Sequence, residues 1–232
     1  MVFRGCSVGG RLYKGQDKPI TEEDTTKVSS SSDAMSSTLP NTTGPIAVEE
    51  QGSEVRTTPE VQQPLPLVAV RFRDATLTAD ISRSAEPDAD ETFSRSLNGF
   101  FACLALCHTV IAYVDPQTHV LEYKAQSPDE AALVQAAADV GYVFQGRDRE
   151  ILRMKTPFSD EIEEYELLHV LDFTSARKRM SVVVRKLDAN DRRLFLLTKG
   201  ADNVIFERLR ADESEELKAT TERHLVEFAN EG

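Results

Sequence analysis

Apolar positions along this chain recur with two periods, and the periods divide it into elements. Phe93, Leu97, Phe100, Phe101 and Leu104 repeat at helical spacing, which predicts an amphipathic helix running to about Val110. Leu133, Ala136, Ala137 and Val140 share a second helical face, and Gly141 stands where a helix C-terminus favours a residue without a Cβ. Strand-like runs cover Val120 to Ala125, Tyr165 to Phe173, Met180 to Lys186 and Arg193 to Thr198. In the third of these, Met180, Val182 and Val184 alternate with Ser181, Val183 and Arg185, so the two sets face opposite sides of a sheet. The turn Asp188-Ala189-Asn190-Asp191 joins it to the fourth run as an antiparallel hairpin. Two further helices are predicted, from Ala201 to Leu209 and from Asp212 to Phe228.

The front of the chain differs. Residues 1–14 read as two short strands around Gly9-Gly10. Residues 17–66 are rich in Ser, Thr, Pro and acids, and include the run Ser29 to Ser32. Such a stretch buries too little apolar surface to offset its ordering entropy, so it is expected to be a mobile or loosely docked insertion. Leu67 to Phe72 then reads as a strand returning to the core. The expected fold is α+β, a mainly antiparallel sheet flanked by helices, forming one domain over residues 1–232 with the acidic insertion inside it.

Charge narrows the function. Residues 17–92 hold 6 basic and 15 acidic side chains, a net −9 of the chain's −12. The remainder is near neutral, which argues against a nucleic-acid partner, since phosphate neutralisation needs surplus Lys and Arg. The three cysteines form no CxxC pair, and Cys103 and Cys107 read as small hydrophobes within the apolar helix. The apolar stretch Gly99 to Tyr113 is shorter than the roughly 20 residues that cross a bilayer. No GxxxxGK[ST] loop or GxGxxG turn occurs, and the four histidines lack metal-ligand spacing.

Three local features carry candidate chemistry. Ser127-Pro128-Asp129-Glu130 matches a capping box, with Glu three residues after an N-cap Ser. The same Glu130 could instead accept the exocyclic amine of adenine. Phe173 ends a strand and precedes Thr174-Ser175-Ala176-Arg177-Lys178-Arg179. It reads either as a core residue before a solvated basic turn or as a face for a base, with Lys178 beside a phosphate. Lys199-Gly200-Ala201-Asp202 sets a Lys between a strand and a helix, and Gly200 would let a ligand approach the backbone.

Read in order, LCHTV (Leu106 to Val110), YKAQSPDEAALV (Tyr123 to Val134), LLHVLDFTSARKRMSVVVR (Leu167 to Arg185) and LLTKGADNVIFERL (Leu196 to Leu209) closely resemble the type IV P-type ATPases, the phospholipid flippases. MVFRGCSVGGRLY resembles the stretch after that family's phosphorylation motif, and HLVEFANEG the stretch before its second hinge. The resemblance implies a nucleotide-binding domain bounded at both hinges, with no catalytic or metal-binding residue of its own. It implies that Phe173 stacks on adenine, Glu130 lies at the adenine edge and Lys199 lines the pocket floor. Ser175 and Lys178 would face the phosphates, while Asp129, Gly200 and Ala201 shape the pocket. Asp172 and Thr198 stand where the family commonly has Glu and Cys. By the same resemblance the ligand is ATP, with Mg2+ held by residues elsewhere in the parent. The partners are the parent's phosphorylation and actuator domains, phospholipid and an accessory subunit, and the domain lies on the cytosolic face of a plasma, Golgi or endosomal membrane. A P-type cation pump would share the pocket, and a regulatory or scaffolding module is the alternative from another class.

Overall fold

The computed structural model describes residues 2–15, 66–188 and 192–231. The expected insertion at 17–66, apart from Pro66, lies outside them, as do residues 189–191 of the expected turn. The described elements are α+β, with antiparallel sheets flanked by helices.

The chain opens with a hairpin of β1 (Gly5–Val8) and β2 (Arg11–Lys14). Gly9 and Gly10 both take positive φ, 57° and 79°, the geometry a two-residue turn of this hand requires. Two short elements follow, β3 (Leu67–Val68) and α1 (Ala75–Arg83). Strand structure covers only the first two residues of the expected Leu67–Phe72 run, because polar ties from a helix hold the rest. Asp139 accepts the Phe72 N–H at 2.7 Å, and Gln135 Nε2 donates to the Ala69 carbonyl at 3.0 Å. Helix α1 was absent from the periodicity reading. Asp74 caps it by accepting the Leu77 N–H at 2.8 Å, and Asp80 accepts the Tyr13 hydroxyl at 2.7 Å, tying it to β2.

The apolar face of α2 (Glu91–Leu106) forms the centre of the core. Leu97, Phe101, Ala105 and Leu106 are buried against Tyr142, Met154, Val182 and Val184, and the Phe101 and Tyr142 rings stack at 5.6 Å. This helix stops four residues before the expected Val110. Cys107 leaves helical geometry at φ −91°, ψ 74°, and the His108 ring secures the exit. Its Nδ1 accepts the Val110 N–H at 3.0 Å, so Nε2 carries the proton and donates to the Ala105 carbonyl at 2.8 Å. Burial pushes the His108 pKa down to about 4, keeping the ring neutral.

A three-stranded sheet orders β3, β5 (Val120–Lys124) and β4 (Ile111–Val114). Then α3 (Pro128–Asp139) leads into a five-stranded antiparallel sheet ordered β10-β9-β8-β7-β6. Its members are β6 (Val143–Asp148), β7 (Ile151–Lys155), β8 (Ile162–Leu171), β9 (Arg179–Lys186) and β10 (Leu194–Gly200). The expected alternation in β9 is present: Met180, Val182 and Val184 are buried in the core. Strands β4, β6 and β7 were not anticipated. Helices α4 (Asp202–Phe206) and α5 (Glu215–Glu231) close the chain, both starting later than expected. Among the described residues, no helix is long and apolar enough to cross a membrane.

The polar tie at Asp139 makes a pH prediction. Burial raises its carboxyl from 3.8 to about 6, against hydrogen bonds from Gln135, Arg71 and Phe72 that oppose the rise. A raised value in the folded state favours folding below the unfolded pKa, and that contribution is lost as pH climbs from 3.8 through about 6. Carboxyl-carbon NMR is expected to find Asp139 titrating near pH 6, and a midpoint at the ordinary value would contradict its half-buried placement.

Candidate functional site

Three neighbouring strands end together at one edge of the five-stranded sheet. Leu171 of β8 pairs with Ser181 of β9, and Ser181 pairs with Thr198 of β10. At about 4.8 Å per strand spacing, Leu171 and Thr198 lie roughly 10 Å apart. Phe173 follows Leu171 by two residues, Lys178 precedes β9, and Lys199 follows Thr198 within β10. The candidate aromatic and both candidate ammonium groups therefore leave the same sheet edge.

Two strand boundaries differ from expectation. β8 ends at Leu171, so Phe173 lies beyond the strand, and it is 61% exposed. An aromatic ring that exposed is not a core residue, which removes one of the two readings of Phe173. β10 runs through Gly200, so Lys199 lies inside the strand, paired with Met180. Met180 belongs to the buried face toward α2, so Lys199 extends along the helical side of the sheet.

There it meets Glu130 of α3. Lys199 Nζ lies 3.2 Å from Glu130 Oε1, with the two side chains only 18% and 15% exposed. The capping-box reading of Ser127 to Glu130 is not what the structure shows. Ser127 is the N-cap, but its side chain makes no capping hydrogen bond. Glu130, rather than turning back to Ser127, accepts from Thr109, whose N–H lies 3.2 Å from Oε1 and whose hydroxyl lies 2.8 Å from Oε2. Burial alone would raise the Glu130 pKa; the Thr109 hydrogen bonds and the Lys199 charge outweigh it and hold the carboxylate below its usual value.

The turn between β8 and β9 is tightly built. The Lys178 N–H donates to the Thr174 carbonyl at 2.7 Å, and the Arg177 N–H to the Thr174 hydroxyl at 3.2 Å. Lys178 takes φ +50°, a left-handed conformation unusual for a side chain of its length. Its carbonyl then accepts the Ala201 N–H at 3.0 Å, joining this turn to the end of β10. The space in front of Gly200 is filled by that turn: an added Cβ would sit 2.6 Å from the Lys178 carbonyl oxygen and 2.5 Å from Arg179 Cβ. The bare backbone at Gly200 thus admits the protein's own chain, not a ligand as expected. Asp129 and Ser175 are exposed, and Ala201 is half-buried at the N-cap of α4.

Sequence reasoning missed Thr109, which lies in the quoted LCHTV stretch but had no assigned role. Under the pair, the Cys103 and Cys107 thiols face the Thr198 and Leu197 carbonyls of β10 at 3.8 and 3.6 Å. Among the described residues, Arg177, Lys178 and Arg179 have no carboxylate within ion-pair distance, and no His, Cys, Asp and Glu cluster suits a metal ion. This end of the sheet therefore offers an exposed aromatic face, one half-buried carboxylate acceptor and cations without a carboxylate partner. That is a donor set for an aromatic base carrying an amine and an anionic tail.

A family model for the P-type ATPase cytoplasmic domain N matches residues 96–227. The chain belongs to this family. All the site residues fall within the matched span. The N domain is 49% identical over 144 residues to the phospholipid-transporting ATPase dnf2 of Schizosaccharomyces pombe, covering 62% of the chain and 10% of that protein. It is 34% identical over 236 aligned positions to the probable phospholipid-transporting ATPase 4 of Arabidopsis thaliana, covering 100% of the chain and 18% of the relative. Against the phospholipid-transporting ATPase DRS2 of Saccharomyces cerevisiae it is 40% identical over 153 residues, 66% of the chain and 11% of that protein. The chain thus spans between a tenth and a fifth of the length of these relatives.

The Gly200 contact is testable. Gly200→Ala is expected to cost about 2 kcal/mol by forcing two backbones apart, read by chemical denaturation. It should also shift the amide resonances of residues 177–179 and 199–201; unchanged resonances at Lys178 would show that β10 does not press on the turn.

Proposed function

We propose that this N domain binds ATP for a phospholipid-translocating P-type ATPase and presents the γ-phosphate to an aspartate in the parent's phosphorylation domain. The observation that supports the reading is the end of the sheet where exposed Phe173 and Lys178 flank neighbouring strands next to β10, whose Lys199 pairs with Glu130. Its location inside the family match, and the phospholipid-transporting relatives, extend the reading to the parent protein.

Phe173 supplies the ring face on which the base stacks. Glu130, kept ionised by Thr109 and Lys199, accepts a hydrogen bond from the exocyclic amine. Lys199 forms the floor, holding Glu130 in place from the strand side. Lys178 and Ser175, on the turn that caps the same edge, face the phosphate tail, and Arg177 and Arg179 add positive potential there. Asp129 and Ala201 shape the walls, and Gly200 does so indirectly, by letting the Lys178 turn pack against the end of β10. Bound together with the nucleotide, magnesium would neutralise phosphate charge, and residues of the parent's other domains would hold it.

Phosphoryl transfer relies on positioning and charge neutralisation, so a domain that grips mainly the base contributes orientation to it. The chain alone is expected to bind ATP weakly, with Kd roughly millimolar, about −4 kcal/mol, and to hydrolyse none. The test is an NMR titration of wild type and Phe173→Ala with ATP. Wild type should show shifts around Glu130, Lys178 and Lys199 that Phe173→Ala loses; equal shifts in both, or turnover by the purified chain, would overturn the reading.

A further inference from the structure

Glu130 is held by more than its ion pair, and the extra contact has a chemical consequence. A carboxylate offers about four lone-pair positions, two on each oxygen. Oε1 accepts from Lys199 Nζ and from the Thr109 N–H, both at 3.2 Å, while Oε2 accepts only the Thr109 hydroxyl, at 2.8 Å. One position remains, and it is on Oε2. We propose that Thr109 is a positioning residue that clamps Glu130 with one charged acceptor site free, so that the site selects a purine bearing a 6-amino group over one bearing a 6-oxo group. This rests on the nucleotide site proposed above.

The clamp follows from the way the chain reaches Thr109. Helix α2 ends at Leu106, and the neutral His108 ring binds back to Ala105 and forward to Val110. The chain is thereby fixed on both sides of Thr109, which presents its N–H and hydroxyl in the same direction. Both donors reach a single side chain across 21 residues of sequence. A ring with an amine donates into the free lone pair on Oε2. A 6-oxo ring sets its own oxygen against the carboxylate, and acceptor faces acceptor.

The charged and titratable groups around Glu130 come from three elements. Lys199 lies on β10, Cys107 and His108 are at the end of α2, and Asp129 neighbours Glu130 on α3. Burial keeps His108 neutral down to about pH 4, so the ring brings no charge to the site near neutrality. Lys199 and Thr109 are the two groups that hold the carboxylate ionised. Removing the Thr109 hydroxyl leaves Oε2 without a partner in a half-buried setting, where the charged form is disfavoured.

The test uses the 232-residue chain as wild type, Thr109→Val and Thr109→Ser. Thr109 is exposed, so the isosteric Val is expected to leave folding intact, checked by thermal melting. Carboxyl-carbon NMR without nucleotide reads the Glu130 titration, which should move upward in Thr109→Val and stay near wild type in Thr109→Ser. ATP and inosine triphosphate are then titrated into each protein. Wild type and Thr109→Ser should prefer ATP, and Thr109→Val should lose about tenfold of that preference, the scale of one charge-assisted hydrogen bond, while still binding a triphosphate. An unchanged Glu130 titration and an unchanged preference in Thr109→Val would overturn the inference, as would loss of both in Thr109→Ser. Failure of wild type to bind either nucleotide would instead overturn the ATP reading, and the ligand-free titration would still decide whether Thr109 controls Glu130.

Discussion

The contact between Lys199 and Glu130 is the constraint on which the rest of the site depends. It joins the edge strand of the sheet to the first turn of α3, and both side chains are mostly withdrawn from water. Such a pair holds only if further hydrogen bonds offset the desolvation of its charges. Thr109 provides two, and the start of α3 adds the positive end of a helix dipole. For Lys199 to reach Glu130, β10 must continue past Thr198 and stay paired with the start of β9. Gly200 is required there because the Lys178 carbonyl and Arg179 occupy the place of its side chain. The left-handed Lys178 brings the turn into that position. The residues of three separated motifs are thus conditions on one another, and their spacing in the sequence reflects a single junction.

The parts of this structure that were legible in the sequence are those with an unbroken period. The stripe on α2 and the alternation in β9 each reported a face buried against the core, and both are buried in the structure. The parts that were illegible lack such a period. Strands β6 and β7 carry Arg147, Asp148 and Arg153, and β6 is interrupted at Gly146, where the register shifts. The edge position of β6, and the solvent-facing side of its neighbour β7, let charged side chains reach water, which blurs the alternation. Helix α1 exposes most of its length and is held by Asp74 and Asp80, whose partners Lys14, Arg11 and Tyr13 are about 60 to 70 residues away.

Ser127 to Glu130 matches the capping signature residue for residue, yet a tertiary partner captured Glu130 and left the cap unmade. A pattern of neighbours cannot weigh a competitor 21 residues upstream. The end of α2 was misjudged for a related reason, since His108 looks like one more residue of an apolar helix until its ring is seen bonding on both sides. Thr109 was passed over because nothing in its immediate sequence marks it.

One feature of the opening hairpin bears on how the domain carries load. β1 and β2 lie alongside α5: Ser7 bonds His224 at 2.8 Å, Lys14 pairs with Glu227 at 2.6 Å, and the Phe228 ring covers Gly5. The first and last described elements are thus neighbours, so a force applied at the two ends of the described chain would meet the hairpin and α5 first. The five-stranded sheet lies outside that route. A pull on both ends would therefore leave the region of Phe173 and Glu130 little disturbed.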